Sequence, residues 1–288
     1  MPSTYAHYRF GNMALKHLPN NLIKIIESHR SLYDIGVHGP DYLFYYEPYH
    51  HNPTSSYGFK MHDKLASDFF KKARIAYANH EEKEAMLAYI LGFVSHFSLD
   101  YTDHSYVEIK ETVSKVSHGL IETEYDRHLL IKDGLNPFKE DPVKHIHPTY
   151  ENAKIIAYFF DDIGVKKVEK ALRGMVFYLR LLKSSSDMKR SFLNTSFKAI
   201  NQYDTLSSLV IKKEADKRCL DSNLRLDKLE PKALELFIDL ANNMYAYLNG
   251  QADLDERFYK TFSYQPNYKE IPVYSLNKET SYESVKIK

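Results

Sequence analysis

The sequence predicts an all-α protein, a multi-helix bundle with additional C-terminal helices and an extended tail. Three observations carry that prediction. Apolar residues recur at helical spacing through most of the 288-residue chain. No segment sustains the alternation of a strand. The breaks between periodic stretches fall on Gly and Pro turn signals. A chain of this length buries a sizeable core, and 43% hydrophobic with 27% charged residues is ordinary for a folded protein.

Taken in order, Asn12 to His17 and Leu22 to Tyr33 read as helical stretches, punctuated by Pro19-Asn20 and Gly36. Val37 to Phe59 reads as a long irregular loop, because Gly39-Pro40-Asp41, Pro48 and His50-His51-Asn52-Pro53 all interrupt periodicity. Its Tyr42, Tyr45, Tyr46, Tyr49 and Tyr57 make it too aromatic for disorder, and a loop of this length inside a domain suggests function. His62 to Asn79 returns to helix, with Leu65, Phe69, Ala73 and Ala76 on one face. Glu81 to Tyr101 follows, apolar nearly all round from Ala85 to Leu99, the signature of a buried central helix. After a short break, Ser105 to Ile131 reads as the next helix, ended by Asp133-Gly134 and Pro137. Tyr150 to Phe160, Lys166 to Lys183, Asp187 to about Lys198 and Lys232 to Leu248 are amphipathic helices. From Tyr264 onward, Pro266, Pro272 and many polar residues predict the tail. The domain expectation is a helical core over 1–150, further helices packed on it over 151–263, and the tail over 264–288.

Composition narrows the function classes. A net charge of +1 gives no electrostatic reason to expect duplex nucleic acid or an acidic membrane as partner. Cys219 is the only cysteine, which excludes an intrachain disulfide and a Cys-based zinc site. No window approaches a membrane span and the first residues carry no apolar signal core, so a cytoplasmic protein is expected.

The 14 His are the chemical lead. His96 and Asp100 stand at i and i+4, on one face of the most apolar helix, where bare polar groups are costly unless paired or bound to a cation. Spacing alone is weak: composition gives about two such His-x-x-x-Asp/Glu pairs by chance, and the sequence holds five, at His80/Glu84, His96/Asp100, His104/Glu108, His118/Glu122 and His147/Glu151. Only His96/Asp100 lies in a strongly apolar run. His118-x3-Glu122-x3-Asp126 is a ladder over three turns of one helix face, two candidate ligands and a carboxylate able to orient one of them. His104 follows Asp100 closely enough to reach the same site. His17, His29, His128, His145 and His147 read as surface or helix-end residues, and Cys219 as a small buried apolar residue.

The ordered set His7, Asp41, His62, His96-x3-Asp100, His104, His118-x3-Glu122-x3-Asp126 resembles the zinc-dependent phospholipase C family, which is related in fold to fungal single-strand nucleases. The resemblance covers roughly residues 1–130. It implies an all-α fold around two or three zinc ions. His62, His96 and Asp100 would take one, with Asp41 beside it; His104, His118 and Glu122 a second; and His7 a third, with Asp100 bridging the first and third. Asp41 is the implied general base, and Asp126 an outer carboxylate. The implied substrate is a phosphodiester, phospholipid foremost and single-stranded nucleic acid as the other class. Secreted members use an N-terminal tryptophan at the third zinc; this chain has no Trp, which leaves that site resting on His7. The long interval from Asp41 to His62 leaves His50 or His51 as alternatives to His62. Two other readings stay open: a non-catalytic helical protein stabilised by one metal, and a His-Asp metal phosphohydrolase built on the doublet His62-Asp63.

Overall fold

The computed structural model describes residues 4–183, 186–199 and 206–281. At its centre lies a helix of 32 residues, α6 (Lys83–Ser114), about 48 Å long at 1.5 Å per residue. The unbroken run from Ala85 to Asp100 is buried, because helices pack on every side of it. Before it come α1 (Thr4–Leu15), α2 (Asn20–Ser28), α3 (Arg30–Gly36), a 3-10 turn (Asp41–Tyr45), α4 (Pro53–His62) and α5 (Ala66–Asn79). After it come α7 (His118–Lys132), α8 (Tyr150–Ala157), α9 (Val165–Leu182), α10 (Asp187–Ala199), α11 (Leu220–Leu248) and α12 (Leu276–Ser281). Among the described residues there is no strand, only an isolated antiparallel bridge between Leu65 and Thr261. The all-α prediction holds.

α3 and α11 make the most extensive contacts with α6. The α3 crossing is close because glycine faces glycine: a Cβ on Gly36 would stand 2.4 Å from the Tyr89 carbonyl oxygen, and one on Gly92 2.4 Å from that of Tyr33. That approach delivers the chain after α3 straight to the middle of α6. One main core unites α1 to α9 and α11, while Leu193, Phe197 and Val210 form a small separate cluster around α10.

Several boundaries differ from the sequence reading. α6 runs through Tyr101 to Ser114 without the expected break; the chain turns only at Lys115, in a left-handed conformation at φ 58°, and α7 starts at His118. Polar residues after Asp100 make one face wet but contain no Gly or Pro, so nothing stops the helix. The loop expected over Val37–Phe59 contains α4, begun by Asn52, whose side chain accepts the Ser55 N–H, with Pro53 in the first turn. His62 therefore closes α4 instead of opening α5. α1 begins at Thr4, eight residues before the expected Asn12, and Leu22–Tyr33 is split at His29. α11 starts at Leu220 and carries Pro231 inside it, because Leu226 and Leu229 before the proline and Ala233, Phe237 and Leu240 after it bury one continuous face. The segment from Tyr264 is not simply extended: α12 lies on α11, with Glu279 fully buried against Arg225.

Candidate metal centre

α6 is continuous, so His96, Asp100 and His104 fall on successive turns of one face. Four other elements close on that face. α1 brings His7, 4% exposed. The turn after α3 brings Asp41, 1% exposed. Gly39 makes this entry feasible: its φ is +51°, and a Cβ there would lie 2.1 Å from the His96 ring. The end of α4 brings His62, and the start of α7 brings His118 and, one turn on, Glu122.

The distances describe a shared cluster. His7 Nε2 lies 3.2 Å from Asp100 Oδ1, and His96 Nε2 lies 3.1 Å from Asp100 Oδ2. His62 Nε2 is 3.0 Å from Asp41 Oδ1 and 3.8 Å from Asp100 Oδ2. His104 Nε2 stands 3.6 Å from both Asp100 Oδ1 and Glu122 Oε1, and His118 Nε2 is 3.0 Å from Glu122 Oε1. Four triads among the described residues have ligand atoms within 4.8 Å of one another: His7/His96/Asp100, Asp41/His62/His96, His104/His118/Glu122 and Glu108/Glu111/His118. The third is the set the resemblance implies. In the first two, His96 is common to both, and Asp41 sits closer to His62 than Asp100 does.

The residues fit a metal. Both Asp41 oxygens, both His96 nitrogens and Asp100 Oδ2 are buried without a hydrogen-bond partner among the described residues, although Asp41 Oδ1 lies 3.0 Å from His62 Nε2 and Asp100 Oδ2 3.1 Å from His96 Nε2. Buried acceptors that face each other without sharing hydrogens are costly unless a cation stands between them. Two ligand atoms of a tetrahedral zinc, at about 2.0–2.2 Å each, are separated by roughly 3.3–3.6 Å, and the contacts here run from 3.0 to 3.8 Å around that range.

The electrostatics agree. Burial opposes charge on His7, His62 and His104, yet all three are raised, His7 by Asp100 and Asp41, His62 by Asp41 and Asp100, and His104, to about 10, by Asp100 and Glu122. Burial would raise Asp100, but His104, His96 and His7 pull it well below the ordinary carboxylate range. The carboxylates thus draw positive charge onto His7, His62 and His104, while burial wins at His96 and lowers it, and a metal ion would take the place of those protons. Two outer nitrogens are already committed: His62 Nδ1–H donates to the Gly58 carbonyl at 3.1 Å and His104 Nδ1–H to the Phe262 carbonyl at 2.9 Å. Carbonyls only accept, so in each ring the Nε2 facing the cluster is the one left with a lone pair when the ring is neutral.

Asp41, His62, Asp100, His104, His118 and Glu122 line a cavity of about 310 Å³, whose other walls include Phe44, Phe59 and Tyr264. A narrower cavity of about 70 Å³ at the start of α1 holds none of these imidazoles.

Residues 6–169 match the family described as zinc dependent phospholipase C, more than half of the 288 residues. The chain belongs to that family. By family it is a hydrolase of the zinc-dependent type. No curated protein and no solved structure matches it. The family segment contains every expected ligand from His7 to Glu122, and no helix among the described residues is long and apolar enough to cross a membrane.

Other expected residues fall elsewhere. His50 pairs with Glu47 and His51 with Ser56, both on the surface, so it is His62 that reaches the cluster. Asp63, the acid of the His-Asp doublet, lines the same cavity but joins none of these triads, and accepts from Ser263 Oγ at 3.0 Å. Both oxygens of Asp126 accept backbone N–H groups, of Tyr5 at 3.0 Å and Ala6 at 2.8 Å, so this carboxylate fixes the start of α1 and with it His7. His145, expected at the surface, is 5% exposed; its Nε2 is 2.7 Å from that of buried His38, and Tyr8 stacks on it with ring centroids 3.8 Å apart. Burial, with His147 and Lys144 nearby, lowers His145 to about 3. Its sequence surroundings, polar and beside Pro142 and Pro148, gave no sign of this. The role of Phe262 was equally invisible, since a backbone carbonyl has no sequence signature.

Proposed function

We propose that the chain is a zinc-dependent, phospholipase C-like hydrolase of phosphodiester bonds, acting on phospholipids. The observation that carries this reading is the meeting of five imidazoles and three carboxylates, six of these eight groups lining an aromatic-walled cavity and His7 and His96 buried against them. His62, His96 and Asp100, with Asp41, would hold one zinc, His104, His118 and Glu122 a second, and His7 a third with Asp100 between it and the first. Bound there, zinc supplies Lewis acidity toward phosphoryl oxygens and water activated near pH 7. Asp41, Asp100 and Glu122 bring three negative charges against four from two ions or six from three, and the surplus suits an anionic phosphate. Asp41 lines the cavity and is held by the rigid Gly39-Pro40 turn, so its carboxylate is fixed where it can orient water and accept the proton that water loses. Phe59 stacks on Phe44, ring centroids 4.1 Å apart, and stays 55% exposed, an apolar wall for the glycerolipid part of the substrate.

Purified protein assayed for metal and for release of phosphocholine from short-chain phosphatidylcholine tests this. Two or three zinc ions per chain, with release abolished by chelation and restored by zinc, is the expected result. Cleavage of single-stranded DNA in place of lipid would move the substrate to nucleic acid. A protein that binds no zinc, or binds it and cleaves neither substrate, overturns the proposal.

A further inference from the structure

His62 and His104 face the cluster in the same way, but what holds them differs. The outer nitrogen of His62 is satisfied within its own helix, by the carbonyl of Gly58 four residues back. That of His104 is satisfied by Phe262, 158 residues away in sequence and outside the segment that matches the family. The chain around Phe262 is tied to the site at each step. Lys260 accepts from the Ala66 N–H at 2.8 Å, Ser263 N–H donates to the His62 carbonyl at 3.0 Å, and Gln265 N–H donates to Ser105 Oγ at 2.9 Å. Phe262 itself is 1% exposed, its ring 5.1 Å from Phe97, 5.8 Å from His96 and 6.0 Å from His62, centroid to centroid. Tyr264, two residues on, lines the cavity mouth and is 43% exposed.

We infer that the segment Thr261–Gln265 is a working part of the metal centre: Phe262 is a positioning residue whose carbonyl holds His104 with Nε2 toward the cluster, and Tyr264 forms the wall that meets the substrate. The inference rests on the zinc reading above. The physics is that of an outer acceptor on a metal-bound imidazole, which fixes the ring's tautomer and orientation and whose loss weakens metal binding about 10–100-fold. The Phe262 ring, locked among Phe93, Phe97 and His96, is what keeps its own carbonyl in place.

The test titrates zinc from the full chain with a chromophoric chelator and records the visible spectrum of the cobalt-substituted protein. Phe262→Ala is expected to release one zinc about tenfold or more readily while the others hold, with a changed cobalt spectrum, and Phe262→Leu to restore most of both. Ser105→Ala, which cuts a tether of the segment without touching the packed ring, is expected to give the same loss in milder form and covers the case in which Phe262→Ala does not fold. Tyr264→Ala is expected to raise KM for phosphatidylcholine several-fold with zinc retention unchanged. If the wild type binds no zinc, the zinc reading fails. If the wild type binds zinc and both Phe262→Ala and Ser105→Ala release it at the wild-type rate with an unchanged cobalt spectrum, melting lower or not, the segment only packs and the inference is overturned.

Discussion

One helix, α6, carries two buried charged sites that solve opposite problems. Toward its C-terminal end Lys110, 4% exposed, meets Asp221 of α11, with Nζ at 2.8 and 2.6 Å from the two carboxylate oxygens. That is a donor with its acceptor, complete as it stands. Two to four turns earlier, His96, Asp100 and His104 face His7, Asp41, His62, His118 and Glu122, a gathering of lone pairs with few hydrogens to share. The buried latch between α11 and α12, Arg225 with Glu279 between the rings of Tyr106 and Tyr274, is nearer the first kind, a donor paired with its acceptor and, at Nη1, a donor to spare. Burial and charge alone therefore do not mark a metal site. A shortage of donors does, because such a cluster is stable only when protons or a cation are taken up from outside.

The sharpest way to break this comparison is to remove one charged partner from each site. Asp100→Asn should cost at least one zinc per chain and lower diester hydrolysis by roughly 10²–10³-fold, of the order seen when one transition-state stabilising group is lost, with helical circular dichroism unchanged. Near-wild-type hydrolysis would mean that Asp100 merely pairs with its histidines. Lys110→Met should do the reverse. Zinc content and activity per folded molecule stay the same, while urea unfolding shows a loss of about 3–5 kcal/mol from the stranded Asp221 carboxylate. If Lys110→Met also sheds zinc, the two halves of α6 are not independent.

The His38–His145 pair marks a third case, buried imidazoles that share one hydrogen bond through their Nε2 atoms and have no carboxylate between them. Burial holds His145 neutral in the folded protein, to about pH 3. An unfolded histidine gains its proton near 6.5. The contribution to stability is therefore complete above pH 6.5 and is lost progressively as pH falls from 6.5 toward 3. Unfolding of chelator-treated protein followed across that range should show a steeper loss for wild type than for His145→Gln. Equal slopes would show that His145 takes a proton in the folded state.

Smallest is the expected effect of Asn52→Ala, which removes the cap of α4, the helix that ends in His62. A loss of about 1 kcal/mol is expected, seen as a small drop in melting temperature with zinc content intact. If zinc is lost as well, His62 depends on the beginning of its helix as much as on its end.

Much of this was readable from residue order. The apolar run from Ala85 to Leu99 announced the central helix, and His96-x3-Asp100 within it announced a buried polar pair that needed a partner. The ladder from His118 to Asp126 supplied a second helix face. Less readable was how ligands are held. That α6 runs on through Asp100 to place His104 on the same face was obscured by the polar stretch after Asp100, where side chains are wet but the backbone has no reason to stop. That Asn52-Pro53 opens a helix was hidden because the same two residues also end one. Asp126 stood in the right ladder, but its oxygens go to the first turn of α1, a backbone partner that no spacing rule names.

The sequence by itself determined the helices, the apolar axis and the chemistry on offer, since periodicity and residue type are local and repeat along the chain. Only the tertiary structure decided which histidines meet. It brought His62, not His50 or His51, to the cluster, buried His145 against His38, and set the carbonyl of Phe262 on His104. Those outcomes depend on glycine-thin crossings and on backbone atoms brought together from distant parts of the chain, and a backbone atom looks the same whichever residue carries it.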